Sequence, residues 1–372
     1  MLQGIRIIEI EGLGPGPFAA MMLADLGADV ICVHRKGKKP DGLAPAQAIL
    51  DRGKRSIELD LKDPQDVETL LQLLETADGL IEGFRPGVME RLGLGPDECH
   101  ARNPGLIFGR MTGWGQDSPL SQSAGHDMNY IAMSGALWHS SLPGTPPMAT
   151  PTLVGDIGGG ALYLVAGILS ALLARKDRAS DGCVVDAAIY DGSAHMMNLL
   201  MTLQQAGQFG HPRGENLLDG PHWSRAYTCA DGGHITVQCL EPQFYQVFLK
   251  HMELTDDPDF ARQYDKSMWP VLSARLAGIF VTRPRDYWAA MFEGSDACVA
   301  PVLSPEEARD HQMNTRGTWV QTGAGLQAAL APRFSKGISK GGDEGTKWSP
   351  PESPTRGQHT AEILRDLEDL RR

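Results

Sequence analysis

The first third of the chain repeats one pattern: a short apolar run, a turn, a stretch with helical spacing, and another apolar run. Residues 5–10, 29–34, 56–61, 79–82 and 106–111 read as strands. Between them, 18–26 and 63–77 carry apolar residues at i, i+3 and i+4, and Asp63 supplies a helix start signal. This alternation leaves few folds open. Parallel strands need long crossovers, helices provide them, and the sheet is then covered on both faces. The expected class is α/β, with a doubly wound, Rossmann-like large domain. Residues 161–176 are apolar almost all round and predict a deeply buried helix. A further strand at 184–189 and a Met-rich helix at 190–205 follow.

The style then changes. Residues 206–224 are rich in Gly, Pro and polar side chains and read as a linker. A hairpin with an Asp231-Gly232 turn and helical patterns at 241–251, 270–280 and 284–293 predict a smaller α+β domain over 225–324. A length of 372 residues suits two domains, and 42% apolar content suffices for two cores. A formal charge of −12 argues against nucleic acid as a partner but leaves room for a small anion on a local basic patch. No run of about 18 apolar residues occurs, so no membrane span is expected. The start, MLQGIRIIEIEG, lacks the regions of a signal peptide, and the end lacks a peroxisomal address. The six cysteines are scattered and form no CxxC pair, which fits reduced core thiols and a cytoplasmic location. No metal-ligand spacing is present, and neither a metal nor a cofactor is expected.

Three features carry chemistry. The turn GLGPGP (12–17) lies between a strand and a helix, where nucleotide-binding folds place a phosphate against helix N–H groups; a plain tight turn reads equally well. Basic residues gather after the early strands: Arg35, Lys36, Lys38, Lys39, Arg52, Lys54, Arg55, Lys62, Arg85 and Arg91. They read either as a polyphosphate site or as a solvated face. Finally, His126 and Asp127 stand at the start of one helical run, and Asp156 at the start of another. Each Asp could simply cap its helix. Yet the glycines of GDIGGG (155–160) disfavour a helix, each by about 0.8–1.0 kcal/mol relative to Ala. They suit a backbone that must approach a ligand closely, and helix starts offer free N–H donors to a developing oxyanion.

The glycine turn, RPGVMERLGLGP (85–96), RMTGWGQ (110–116), GHDMNY (125–130), GDIGGG, VVDAAIYDG (184–192) and LEPQFY (240–245) follow one another at distances that resemble the α-methylacyl-CoA racemases of the class III CoA-transferase superfamily. The similarity runs from Gly4 to about Ser335, and 336–358 looks private to this chain. The resemblance implies inversion of the carbon next to an acyl-CoA thioester through an enolate. His126 and Asp156 would be the two acid/bases, one on each face, with pKa values set apart by unlike surroundings. It implies that Glu241 orients or charges His126 and that Asp127 supports the site, its N–H a candidate oxyanion donor. Arg35, Lys62, Arg85 and Arg91, with Leu59 and Leu61 around the DLK segment, would hold coenzyme A, and Tyr130 would line the site. Coenzyme A enters as substrate carrier, not as cofactor. Met196, Met197 and Met201 read either as core or as an adaptable acyl surface. Thr152 stands where many relatives carry Asn.

The resemblance also implies an interlocked homodimer, in which 1–205 is completed by a returning segment, 325–372, and Glu241 reaches the histidine of the other chain. Two rivals stand beside it: a class III CoA-transferase using Asp156 as nucleophile, and a silent acyl-CoA-binding protein.

Overall fold

The computed structural model describes residues 1–37, 47–176, 179–335 and 348–369; Lys38, Lys39 and 336–347 lie outside the described residues. The chain forms two compact units. One comprises Met1–Ala136, Ala149–Met196 and Arg309–Arg372, the other Leu137–Met148 and Met197–Ala308. The units therefore divide at 136/137, 148/149, 196/197 and 308/309 rather than at the linker and 324/325. The expected helix over 190–205 is two helices, Ile189–Met196 and Asn198–Gln205, which part at Met197 and fall into different units.

In the larger unit six strands form one parallel sheet: β1 (Arg6–Ile10), β2 (Asp29–Arg35), β3 (Arg55–Leu59), β4 (Gly79–Glu82), β5 (Ile107–Thr112) and β6 (Cys183–Ala188). Their order is β3-β2-β1-β4-β5-β6, so the winding reverses between β1 and β4. Ligands of such sheets bind at the carboxyl ends of the strands beside that reversal. Alternate residues of β1 face opposite layers. Ile8 and Ile10 pack with Leu70, Leu73 and Leu74 of helix Pro64–Glu75, whereas Ile7 packs with Ala19, Ala20 and Leu23 of helix Pro15–Asp25 and with Leu164 and Ile168. Each fully buried Leu or Ile side chain contributes about 1.5–3 kcal/mol.

Helix Leu162–Ala174 departs from expectation. Only Leu164, Val165 and Ile168 are buried along it, while Leu162 is exposed and Leu173 is 88% exposed. Its far face, like Val184 on the edge strand β6, meets no other part of its own unit among the described residues that would bury it. By length and composition alone, Leu153–Ala174 would suffice to cross a membrane.

The smaller unit holds an antiparallel sheet, β7 (Ser224–Thr228), β8 (His234–Gln238) and β9 (Val299–Pro301), and the helices Pro242–His251, Trp269–Phe280 and Arg285–Phe292. Its core is aromatic, built from Trp223, Tyr227, Tyr245, Phe248, Phe260, Phe280 and Phe292. Buried His222 lies 2.7 Å from the Tyr245 hydroxyl, and burial lowers its pKa to about 3, so it is neutral at pH 7.

The returning segment contributes a hairpin, β10 (Trp319–Thr322) and β11 (Gly325–Ala328), and helix Thr360–Asp369. Arg52 bonds Asp25 and also donates to the Ala328 carbonyl at 2.9 Å, and Ile363 and Leu367 enter the core below β3. Three members of the basic cluster are thus internal struts. Arg52 is spent on Asp25 and β11, Lys54 on buried Glu9 at 2.6 Å, and Arg55 on Asp29 at 2.7 Å. All six cysteines are free; Cys32, Cys99, Cys229 and Cys239 are buried, but Cys183 and Cys298 are exposed.

Candidate active site

The site grows from the carboxyl ends of β1, β4 and β5. After β1 the glycine turn swings into helix Pro15–Asp25, with Gly14 at φ +70. A Cβ on Gly14 would stand 3.7 Å from Asp156 Oδ2, so this turn lies against the acid of GDIGGG. Lys54 fixes it from below, donating to the Pro17 carbonyl at 3.2 Å while paired with Glu9.

After β5 the chain reaches Gly113, Trp114 and then Gly125, His126 and helix Asp127–Met133. The Tyr130 ring is threaded between two glycines. A Cβ on Gly113 would lie 2.1 Å from that ring, and one on Gly125 2.7 Å from it. Tyr130 donates its hydroxyl to the Gly125 carbonyl, and Trp114 packs edge-on against it with centroids 4.8 Å apart. This grip fixes the backbone one residue ahead of His126. The His126 N–H is in turn held by the Asn129 side chain at 3.0 Å, so His126 itself takes the position before the helix. Its imidazole is exposed. The lining role expected for Tyr130 is accompanied by a structural one.

Asp127 does not cap. Its carboxylate is 7% exposed and accepts the backbone N–H of Asp156 at 2.8 Å. That contact requires glycine at 155, where a Cβ would fall 2.4 Å from Asp127 Oδ1. Asp156 lies in a nine-residue π-helical stretch, Leu153–Ala161, that runs into helix Leu162–Ala174. Such wide turns are rare and are frequent at functional sites. Thr152, just ahead, has φ +61, a conformation a β-branched residue adopts only under strain of about 1–3 kcal/mol. Asn tolerates that conformation better than Thr.

Electrostatics set Asp156 apart from an ordinary carboxylate. Burial raises the Asp156 pKa to about 6, the Asp127 charge adds to the rise, and His126 pulls it down. Asp156 therefore exchanges its proton near neutrality, in a place where its neighbour is committed to a hydrogen bond.

Of the residues expected to hold coenzyme A, the side chains of Arg35, Lys62, Arg85 and Arg91 are exposed around the carboxyl ends of β2, β3 and β4. Arg85 reaches the Gln122 carbonyl at 3.4 Å, on the segment that leads to His126. Leu59 is 3% exposed and belongs to the core, so its side chain is not a ligand contact; Leu61 is half-buried. Glu241 stands in the smaller unit, exposed, immediately before helix Pro242–His251. That unit also has a cavity of about 200 Å³ lined by Trp138, His139, Met201, Gln204, Phe209, Gly210 and His211, and Met196 of the larger unit is exposed.

Sequence reasoning missed the glycines that admit Tyr130 and Asp127, and it missed a charged row beneath the site. Glu82, Arg110 and Asp186 occupy matching positions on β4, β5 and β6. Charged residues inside otherwise apolar strands were the available signal.

The model of CoA-transferase family III matches residues 2–360, almost the whole chain. The chain belongs to CoA-transferase family III. It is 39% identical over 370 residues to the mouse α-methylacyl-CoA racemase and 38% identical over 371 to the human one, covering 98% of this chain and 93% of each relative. A solved structure of a Mycobacterium tuberculosis protein is 26% identical, with a TM-score of 0.77 and 98% of both chains covered.

Proposed function

We infer that the chain is an α-methylacyl-CoA racemase, inverting the α-carbon of 2-methyl-branched acyl-CoA thioesters. The observation that carries the reading is Asp156, beside His126 and held through Asp127, with a pKa near 6. Racemisation needs one group that removes a proton and one that delivers it, and both must change state near neutral pH. His126 takes the α-proton of one epimer, the C–H electron pair moves toward the thioester carbonyl, and its oxygen gains negative charge. Protonated Asp156 then returns a proton from the other face. In reverse, ionised Asp156 is the base and the imidazolium of His126 the acid. The backbone N–H of Asp127, in the first turn of its helix and free of an intrahelical acceptor, faces the oxyanion. Glu241 of a second copy of the chain orients or charges His126. Arg35, Lys62, Arg85 and Arg91 bind the phosphates of coenzyme A.

Incubation with 2-methylacyl-CoA esters in deuterium oxide should place deuterium on the α-carbon and equalise the two epimers, with no acyl acceptor present. No exchange with any ester, together with transfer of coenzyme A to an added carboxylate, would replace racemisation by transfer.

The active form is a homodimer whose second copy covers the apolar face left by Leu162, Leu173 and Val184. Activity should fall on dilution in step with dissociation measured by sedimentation. A fully active monomer would overturn the dimer.

A further inference from the structure

The charged row beneath the site has no part in proton transfer, yet it is built with care. Arg110 is 7% exposed, and its guanidinium meets a different element on each edge. Nη1 donates to Gln116 Oε1 at 2.6 Å, on the segment after β5. Nη2 donates to Glu90, in the short helix Val88–Arg91. Nε stands 3.7 Å from Glu82 Oε1 and has no hydrogen-bond partner among the described residues. Glu82 is 3% exposed, and its other oxygen accepts the Phe84 N–H at 2.7 Å. Asp186, beside Arg110 on β6, accepts the Gln116 N–H at 3.1 Å.

The elements held in this way are those that carry the coenzyme A candidates. The Phe84 bond starts the loop bearing Arg85, and the Glu90 bond fixes the helix bearing Arg91. The Arg91 side chain folds back over Gly87, so that a Cβ there would lie 3.2 Å from its Nη1. One guanidinium thus faces three carboxylates from three elements: Glu82 of β4, Glu90 of the short helix and Asp186 of β6. Asp117 and Asp191 add negative charge beside Asp186. A buried group of this kind does not hold all its charges at once. The proton stays on the most buried member, and burial raises Glu82 to about 7, against the pull of the Phe84 N–H and Arg110.

We propose that Arg110 is a positioning residue for the coenzyme A arm, and that the proton on Glu82 sets how firmly it grips. With Glu82 neutral, the guanidinium is left to Glu90 and Gln116, and the segment with Arg85 and Arg91 is held in place. With Glu82 ionised, the free Nε is drawn toward it, Glu90 loses its hold, and Arg91 shifts. This inference rests on the assignment of Arg85 and Arg91 to the coenzyme A phosphates.

Free coenzyme A, titrated calorimetrically into the intact protein between pH 6 and 8.5, tests it without reference to racemisation. Affinity should weaken about fivefold across that window, the low end of a coupling between two sites. Glu82→Gln, neutral throughout and still able to accept from Phe84, should keep the tight affinity at pH 8.5. Ionisation of the ligand's own phosphate affects every protein alike, so proteins are compared at the same pH. Glu90→Gln, at a half-exposed position, should show the weakened affinity at both ends, with KM raised and kcat unchanged. Identical pH dependence in wild type and Glu82→Gln would overturn the proposal, as would an unchanged KM in Glu90→Gln. Arg85→Ala separates the two layers. If it leaves coenzyme A binding intact, the phosphate assignment fails; if it weakens binding while Glu82→Gln behaves as wild type, only the coupling fails.

Discussion

His126→Gln should slow racemisation sharply yet leave one epimer exchanging its α-proton with solvent, and Asp156→Asn should leave the other. Each base serves one face. Without His126, the epimer whose proton points at Asp156 is still deprotonated, and the same carboxyl group returns a deuteron with retention. Removing one acid/base should lower the inversion rate by about 10²–10⁴. The pH profile of the surviving exchange carries a sign. In His126→Gln the base is the Asp156 carboxylate, so exchange rises with pH and then levels off. Its midpoint should lie at or above about 6, because His126 is the neighbour that pulls the Asp156 pKa down. Adding Asp127→Asn should move that midpoint lower, since the Asp127 charge pushes it up. Chiral analysis of deuterated esters by mass spectrometry reads all of this. Equal loss of exchange from both epimers in each variant would exclude the two-base arrangement. Under a transferase mechanism, in which Asp156 attacks the thioester, neither epimer exchanges at all.

The parallel sheet was legible because its evidence is local. Each strand of the large unit is an apolar run and each crossover a helical pattern, and the observed strand ends fall within about two residues of the expected ones, the usual disagreement at such ends. The site was half legible. His126, Asp127 and Asp156 sit at helix starts that the sequence marks, but their mutual placement depends on close approach, which has no periodicity. Nothing in a string of letters says that Gly155 exists to admit the Asp127 carboxylate, or that Gly113 and Gly125 flank one phenol ring. The burial of Leu162–Ala174 was misread for a related reason. Apolar composition states that a surface must be covered, not that the same chain covers it. Arg52, Lys54 and Arg55 taught the converse: a basic cluster in sequence is not a cluster on the surface when each cation is held by an internal ion pair, buried for Arg52 and Lys54 and partly exposed for Arg55.

The strongest packing constraint lies behind Asp156. The π-helical stretch Leu153–Ala161 and helix Ile189–Met196 cross backbone to backbone. A Cβ on Gly192 would lie 1.9 Å from the Gly159 carbonyl oxygen, and one on Gly159 would lie 2.7 Å from the Ser193 nitrogen. Neither atom belongs to a side chain that could rotate away. Gly192→Ala must therefore push the two segments apart, and Asp156 sits three residues from the contact. A displacement of about 1 Å at reacting groups costs on the order of 10²-fold in rate, and overpacking of this kind costs about 1–3 kcal/mol of stability. The variant should still bind coenzyme A, because Arg85 and Arg91 lie after a different strand. Its kcat should fall about 100-fold, with a modest rise in KM at most. Gly278→Ala is the matched control. It lies within helix Trp269–Phe280 with no atom within 4 Å of an added Cβ. There the exchange should add about 0.8–1.0 kcal/mol of stability through helix propensity and leave kcat alone. If Gly192→Ala keeps wild-type kcat, the backbone crossing does not hold the acid in place, and the position of Asp156 must be set from the Asp127 side alone.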